Sequence, residues 1–172
     1  MRILNELFRA EKINLSGNAI SREAVRGIII ENKKLLMIYS SKNGDYKFPG
    51  GGTDIGESYE DTLIREVREE SGAMVTKVKS LFGIVIEYDK PIEKEFDVFK
   101  MTSYYYICEV SSNFGKQSLD KYEMDLGFIP VWIDINKAIE INKTIIESAK
   151  KTPQWTKRET SILEIIRDEL IK

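Results

Sequence analysis

The 172-residue chain has no histidine and one cysteine, Cys108. Without histidine, Ser-His-Asp and Cys-His catalysis and every His-metal site are excluded. A lone cysteine forms no intrachain disulfide and no thiolate metal cluster. Cys108 lies in the strand-like run Tyr104-Tyr-Tyr-Ile-Cys-Glu-Val110, where the expected role is a small buried hydrophobe. Long apolar runs are also missing. Stretches such as Gly27–Ile30 and Leu35–Tyr39 are strand-sized and far too short to span a bilayer. Met1–Ala10 has no apolar h-region and no small-residue cleavage site, so the expectation is a cytoplasmic protein with no membrane partner. Neither sign of charge dominates: 26 Lys and Arg face 28 Asp and Glu, a formal net charge of −2. That balance argues against a nucleic-acid partner, which normally needs a basic excess or patch. What remains is chemistry by carboxylates, Lys, Arg, Tyr, Ser or Thr, or by a hard cation held on oxygen ligands.

Hydrophobic residues make up 42% of the chain and charged residues 31%, enough material for one soluble domain with a sizeable core. Residues 1–21 alternate apolar and charged positions without a clean period. They read as an N-terminal extension in which Leu4, Leu7 and Phe8 suit a short helix, ahead of a domain over 22–172. Ala24–Ile30 and Lys34–Tyr39 read as strands joined by the polar turn Glu31-Asn-Lys33. Asn43-Gly44 marks a second turn, and the short strand Tyr46–Phe48 runs into Pro49-Gly-Gly-Gly52. A helix is expected over Glu57–Ser71, ended by Gly72. Strands follow at Val75–Tyr88, Phe99–Val110 and Val131–Ile133. A helix is expected over Asn136–Lys150, with Ala138, Ile139, Ile141, Ile145, Ile146 and Ala149 at helical spacing. The last helix starts at Thr156 with the capping-box pattern Thr156-x-x-Glu159 and turns Ile162, Ile165, Ile166 and Leu170 inward. Strands mixed with helices imply a layered α/β domain.

Glu66, Glu69 and Glu70 are spaced i, i+3 and i+4, so they fall within an arc of roughly 100° on one helix face. Like charges at that spacing repel, and drawing three carboxylates closer requires a cation. Carboxylate oxygens select hard ions such as Mg²⁺ or Mn²⁺. Gly50, Gly51 and Gly52 let backbone amides and carbonyls approach a metal or a phosphate without a Cβ in the way. Read alone, Arg65-Glu-Val-Arg-Glu-Glu70 would be a solvated helix face, since acidic faces are common. The joint spacing argues otherwise.

At this point the sequence resembles the Nudix family, whose signature is Gly-x5-Glu-x7-Arg-Glu-hydrophobic-x-Glu-Glu-x-Gly-hydrophobic. Gly51, Glu57, Arg65, Glu66, Val67, Glu69, Glu70, Gly72 and Ala73 stand in register with it, and only Ala73 is small for its place. The resemblance implies an α/β/α sandwich with a mixed β-sheet and metal-dependent hydrolysis of a pyrophosphate bond. By position, Glu66, Glu69 and Glu70 would ligate Mg²⁺ (or Mn²⁺) beside the Gly50 carbonyl, and Arg65 would orient the glutamates. Glu57 would bind metal more distantly or support the junction of loop and helix. Relatives often recruit one further acid as ligand or general base. Glu123 is the candidate, with Asp125 and Glu95 behind it, although a surface acid is an equally good reading of each.

The box reads the diphosphate and says little about what is attached. The expected partner is a nucleotide-type small molecule: a nucleoside triphosphate, a dinucleoside polyphosphate or a nucleotide sugar. Gly51 and Gly52 would meet the phosphates. Among the aromatics, Phe48 and Phe82 are the pair whose strands should approach the cleft, although core packing is the commoner fate of such residues. Tyr88 matches a position seen in some dinucleoside polyphosphate hydrolases, and Pro91 lies a few residues late for one seen in ADP-ribose hydrolases. The alternatives are an RNA 5′-end or cap pyrophosphohydrolase, which needs a basic groove, and a nucleotide-sensing module, which commonly lacks box glutamates. A homodimer is compatible with the resemblance, and Met1–Ser21 could contribute to its interface. This reading predicts that Glu69→Gln or Glu70→Gln abolishes turnover and leaves the fold intact, as measured by product release and circular dichroism.

Overall fold

A computed structural model describes residues 1–148 and 152–171. Eight strands and four helices follow one another: β1 (Ile3–Phe8), β2 (Ala19–Ile28), β3 (Ile30–Glu31), β4 (Lys34–Ser40), β5 (Asp45–Lys47), α1 (Tyr59–Ser71), β6 (Val75–Asp89), β7 (Val98–Val110), α2 (Lys121–Leu126), β8 (Phe128–Asp134), α3 (Ile135–Ser148) and α4 (Thr156–Leu170). One sheet has the order β1-β6-β7-β2 and is mixed. β1 runs parallel to β6, β7 parallel to β2, and β6 and β7 form a long antiparallel pair. In the second sheet β4 is central, paired with β8 along its whole length and with β3 and β5 on its other edge. No helix is long and apolar enough to cross a membrane among the described residues.

The strand alternation sorts the core onto two faces. Val25, Ile29 and Leu36 point toward Leu63 and Val67 of α1, with Cys108 beside them. Ile28, Leu35 and Met37 point the other way, toward Ala138 and Ile139 of α3 and Ile162, Leu163 and Ile166 of α4. Because adjacent strand residues face opposite sides, an unbroken apolar run such as Leu35–Ile38 belongs to a strand buried on both. The result is an α/β/α sandwich. Cys108 is buried, and that burial pushes its thiol up to about 12, as an inert core residue should behave.

Four expectations need correction. Leu4, Leu7 and Phe8 form a strand and not a helix: Ile3–Phe8 pairs with Ile84–Tyr88, and Phe8 stacks on Tyr88 at 5.1 Å between ring centroids. The open edge of β6 supplies backbone partners that outweigh a weak local helical preference. Thr156-x-x-Glu159 is not a capping box, because Trp155 is the cap residue and no side chain caps α4. Thr156 instead donates to Asp45 at 2.7 Å, and Glu159 is drawn inward to accept from Arg158. Leu170 is exposed near the helix end, whereas Ile162 and Ile166 are fully buried and Ile165 packs against them. The third helix begins one residue earlier than expected and is described to Ser148; Ala149 and Lys150 lie outside the described residues.

A buried ion network joins the N-terminal strand to α4. Glu87 of β6, 1% exposed, accepts from Arg9 at 3.0 Å and from Arg158 at 2.7 Å, and Arg158 also binds Glu159. Burial alone would raise the Glu87 carboxyl, but Arg158 and then Arg9 outweigh it and hold the group below its ordinary value. A depressed carboxylate contributes stability that is complete above the unfolded glutamate value of about 4.3. That contribution is lost as pH falls through the lower folded value. Glu87→Gln should therefore cost about 3 kcal/mol at pH 7 in urea unfolding. It should also lose less stability than the wild type on acidification below about pH 4.3.

Candidate metal and phosphate site

The site is assembled from a turn, a helix and a second short helix. Ser58 caps α1 by accepting from the Asp61 amide at 3.1 Å, and Gly72 ends it in the left-handed region at φ 73°. The Pro49–Thr53 turn lies along the edge of β2 as an improvised strand. Val25 N donates to Gly51 O at 3.0 Å, Gly27 N to Pro49 O at 2.9 Å, and Thr53 N to Glu23 O at 3.1 Å. Gly50 adopts φ 139°, where a side chain would be strained and would also strike the Val25 carbonyl. Glu70 then binds the turn to the helix: it is 2% exposed and accepts from the Gly50 amide at 2.9 Å.

Glu123 arrives through the segment after β7. Gly115 N donates to Gly72 O at 2.7 Å, Ser118 N to Glu69 O at 2.8 Å, and the Gln117 amide to Glu70 O and Phe128 O. This segment is thereby tied to the end of α1, and α2 starts immediately beside it. Asp120 and Glu123 cap α2 reciprocally, at 2.8 and 2.9 Å. One carboxylate oxygen from each of Glu66, Glu70 and Glu123 lies within 4.8 Å of the others.

The electrostatics of this cluster are set first by burial. Burial pushes the Glu66 carboxyl up, with Glu70 adding repulsion, while Arg65 and Arg26 work in the opposite direction. Glu123 is pushed up to about 7, chiefly by burial, with smaller repulsion from Glu70 and Asp120. Three carboxylates with the Gly50 carbonyl close by make an oxygen-only donor set suited to a hard divalent cation. Two protein cations stand at the same point. Lys47 pairs with Glu70 and reaches the Gly50 carbonyl at 3.4 Å, and Arg26 donates to that carbonyl as well.

The other box residues take different places. Glu69 is not in the cluster; its side chain is 41% exposed and turns to Arg65 at 3.2 Å. At 100° per residue Glu69 projects beside the Glu66–Glu70 stripe, and the cation nearest to it on α1 is Arg65. Arg65 donates to Glu57 at 2.7 Å and to Glu66 at 2.6 Å, so it orients Glu66 while keeping Glu57 away from the cluster. Glu57 also accepts from Thr62; those hydrogen bonds, led by the one from Arg65, lower its carboxyl to about 2. Gly51 faces the Glu66 carboxylate, and the Gly52 carbonyl accepts weakly from Arg65 at 3.4 Å.

Phe48 is fully buried, edge-on to Tyr105 at 5.6 Å, so it cannot stack on a ligand. Phe82 packs against the core, and the Arg2 guanidinium lies over its ring at 5.4 Å, where β1 covers that side of β6. Both corrections have one cause: neighbours distant in sequence bury these rings. Asp125 and Glu95 are exposed and stand outside the cluster. Sequence reasoning missed Arg26 and Lys47, whose partners are a backbone carbonyl and a distant glutamate. Asp120-x-x-Glu123 was a readable capping signal.

A family model described as the NUDIX domain matches residues 21–155. The chain belongs to the Nudix family. A relative in Methanocaldococcus jannaschii named ADP-ribose pyrophosphatase is 40% identical over 70 residues, covering 39% of this chain and 41% of that protein. Nucleoside diphosphate-linked moiety X motif 6 of Xenopus laevis is 31% identical over 144 residues, covering 78% of this chain and 60% of its own. The chain thus spans less than two thirds of the length of either relative. A solved NUDIX hydrolase from Nitrosomonas europaea shares the fold at TM-score 0.55 and 20% identity, over 78% of this chain and 94% of that one.

In this Nudix chain Gly51 is the narrowest part of the cradle, since a Cβ there would collide with the Glu66 carboxylate. Gly51→Ala should leave thermal unfolding close to wild type and weaken Mn²⁺ binding by about tenfold or more, read by calorimetric titration.

Proposed function

We propose that the protein hydrolyses a pyrophosphate bond in a nucleoside diphosphate linked to a further group, with Glu66, Glu70 and Glu123 holding Mg²⁺ or Mn²⁺. The observation that carries this reading is the convergence of these three carboxylates within 4.8 Å of one another, beside the Gly50 turn whose amide donates to Glu70. Such a cluster repels a diphosphate unless a cation stands between them. A divalent ion bound there would offset that repulsion, polarise the phosphoryl group and activate water.

The chain's own groups supply the rest. Arg65 holds Glu66 in its rotamer from one side, and Gly51 leaves room for it on the other. Glu123 completes the carboxylate set from α2. One of its oxygens accepts from the Asp120 amide at 2.9 Å, which fixes its direction. Glu69, in the pair with Arg65, acts as a positioning residue on the exposed side. The products are two phosphate-bearing fragments, and no covalent bond to the protein forms.

Relatives named for ADP-ribose and for nucleoside diphosphate-linked groups favour a substrate of that kind. A cavity of about 500 Å³ lined by Leu7, Phe8, Arg9, Glu87, Gln154 and Lys157 offers room for the linked group. Glu87 in its wall binds Arg158, which lines the carboxylate cavity.

The test is hydrolysis of a panel comprising ADP-ribose, nucleotide sugars, dinucleoside polyphosphates, nucleoside triphosphates and a 5′-triphosphate RNA oligonucleotide. Product is expected with Mg²⁺ or Mn²⁺ and not with EDTA. Glu66→Gln and Glu123→Gln should each lower kcat by about a hundredfold or more. Metal-independent turnover, or full activity in both variants, contradicts the assignment. Metal-dependent binding without product points to a sensing module.

A further inference from the structure

Arg26 is 7% exposed and lies mid-strand in β2, yet no carboxylate forms an ion pair with it among the described residues. Among the described residues its guanidinium makes one hydrogen bond, to the Gly50 carbonyl, and its Nε–H is buried with no acceptor. A buried guanidinium in this condition is costly unless an anion completes it. Arg26 lines a cavity of about 190 Å³ together with Lys47, Gly50, Glu70, Glu123 and Trp155. Lys47, 6% exposed, has its ammonium 4.8 Å from the centre of the Phe128 ring. Trp155, the residue before α4, lines the same space.

Three cations and two acids therefore share one small cavity, and of the cations Arg158 is already paired with Glu87 and Glu159. It is smaller than the roughly 300–1,000 Å³ of a typical organic-ligand pocket. Phosphoryl groups fit such a space and a nucleoside does not. Lys47 is at present occupied by Glu70, and Arg26 by the Gly50 carbonyl. Those two acceptors are the oxygens that a divalent ion would take.

We propose that Arg26 and Lys47 are the diphosphate-binding cations of this protein. When a divalent ion takes Glu70 and the Gly50 carbonyl, the guanidinium and the ammonium turn to the diphosphate oxygens that the ion does not serve. The buried Nε–H of Arg26 then gains the acceptor it lacks. Arg26 supplies a planar fork and Lys47 a point charge, so the pair fixes the diphosphate in both direction and distance. This rests on the reading of Glu66, Glu70 and Glu123 as the cation site, and it adds the groups that grip the substrate.

The test uses methylenediphosphonate, a diphosphate mimic whose bridge does not hydrolyse, titrated into the full chain with Mg²⁺ in excess. Wild-type protein should bind it, and Arg26→Lys and Lys47→Gln should each weaken binding tenfold or more while keeping the wild-type circular dichroism. In the wild type, the Arg26 Nε–H resonance should shift as the diphosphonate saturates, a readout that needs no variant. A resonance unmoved at saturation, folded variants that bind as tightly as wild type, or a wild type that does not bind would each overturn the proposal. A wild type that binds the mimic through these residues but hydrolyses no member of the substrate panel would leave the proposal standing and remove the activity.

Discussion

The hydrogen bond from the Gly50 amide to the buried Glu70 carboxylate joins the turn to the helix, and the geometry of the site follows from that union. Glu70 can reach Gly50 only because the Pro49–Thr53 turn lies flat against β2, with its backbone groups paired as in a sheet. That close approach depends on residues without a Cβ: at Gly50 a side chain would strike the Val25 carbonyl, and at Gly51 it would strike Glu66. Once the turn is held, Glu66 stands one helical turn before Glu70 on the same face, and Glu123 closes the cluster from α2. Glu70 is therefore a structural as well as a chemical residue. Removing its charge would disturb the turn and free Lys47, so a fold left untouched by Glu70→Gln is not what this arrangement implies.

Charge balance organises the surroundings. The carboxylates are drawn together against their mutual repulsion by packing, by Arg65 on one side, and by Arg26 and Lys47 on the other. The protein cations now occupy the acceptors that a metal would use, which lets the apo protein tolerate the cluster. The same logic recurs in the Arg9–Glu87–Arg158–Glu159 network, where alternating charges remain buried because each has a partner. That network also fixes the start of α4 against the sheet, so the N-terminal strand contributes to the walls near the site from a distance.

The fold was legible where its signals are local. The Asn32-Lys33 turn, the Gly72 cap and the double-faced strand Leu35–Ile38 all declare themselves within a few residues. The box was legible because its residues share one helix and one adjoining turn. What failed was non-local. Ile3–Phe8 became a strand because β6, some eighty residues away, offered an open edge. Phe48 was lost to the core because Tyr105 and α4 cover it, and Glu69 left the cluster because Arg65 lies one turn behind it. Glu123 was identified by analogy, while the pattern that positions it, Asp120-x-x-Glu123, was in plain view. Arg26 carried no sequence signal, since its acceptor is a backbone carbonyl.

The central claim is that Glu66, Glu70 and Glu123, with the Gly50 carbonyl, form a divalent-cation site. Anomalous diffraction at the manganese edge from crystals grown with Mn²⁺ addresses it directly. The account predicts a peak among those four groups, with the Lys47 ammonium displaced from Glu70. A peak on the Glu57–Arg65–Glu69 side of the helix alone, or none at saturating Mn²⁺, would contradict it.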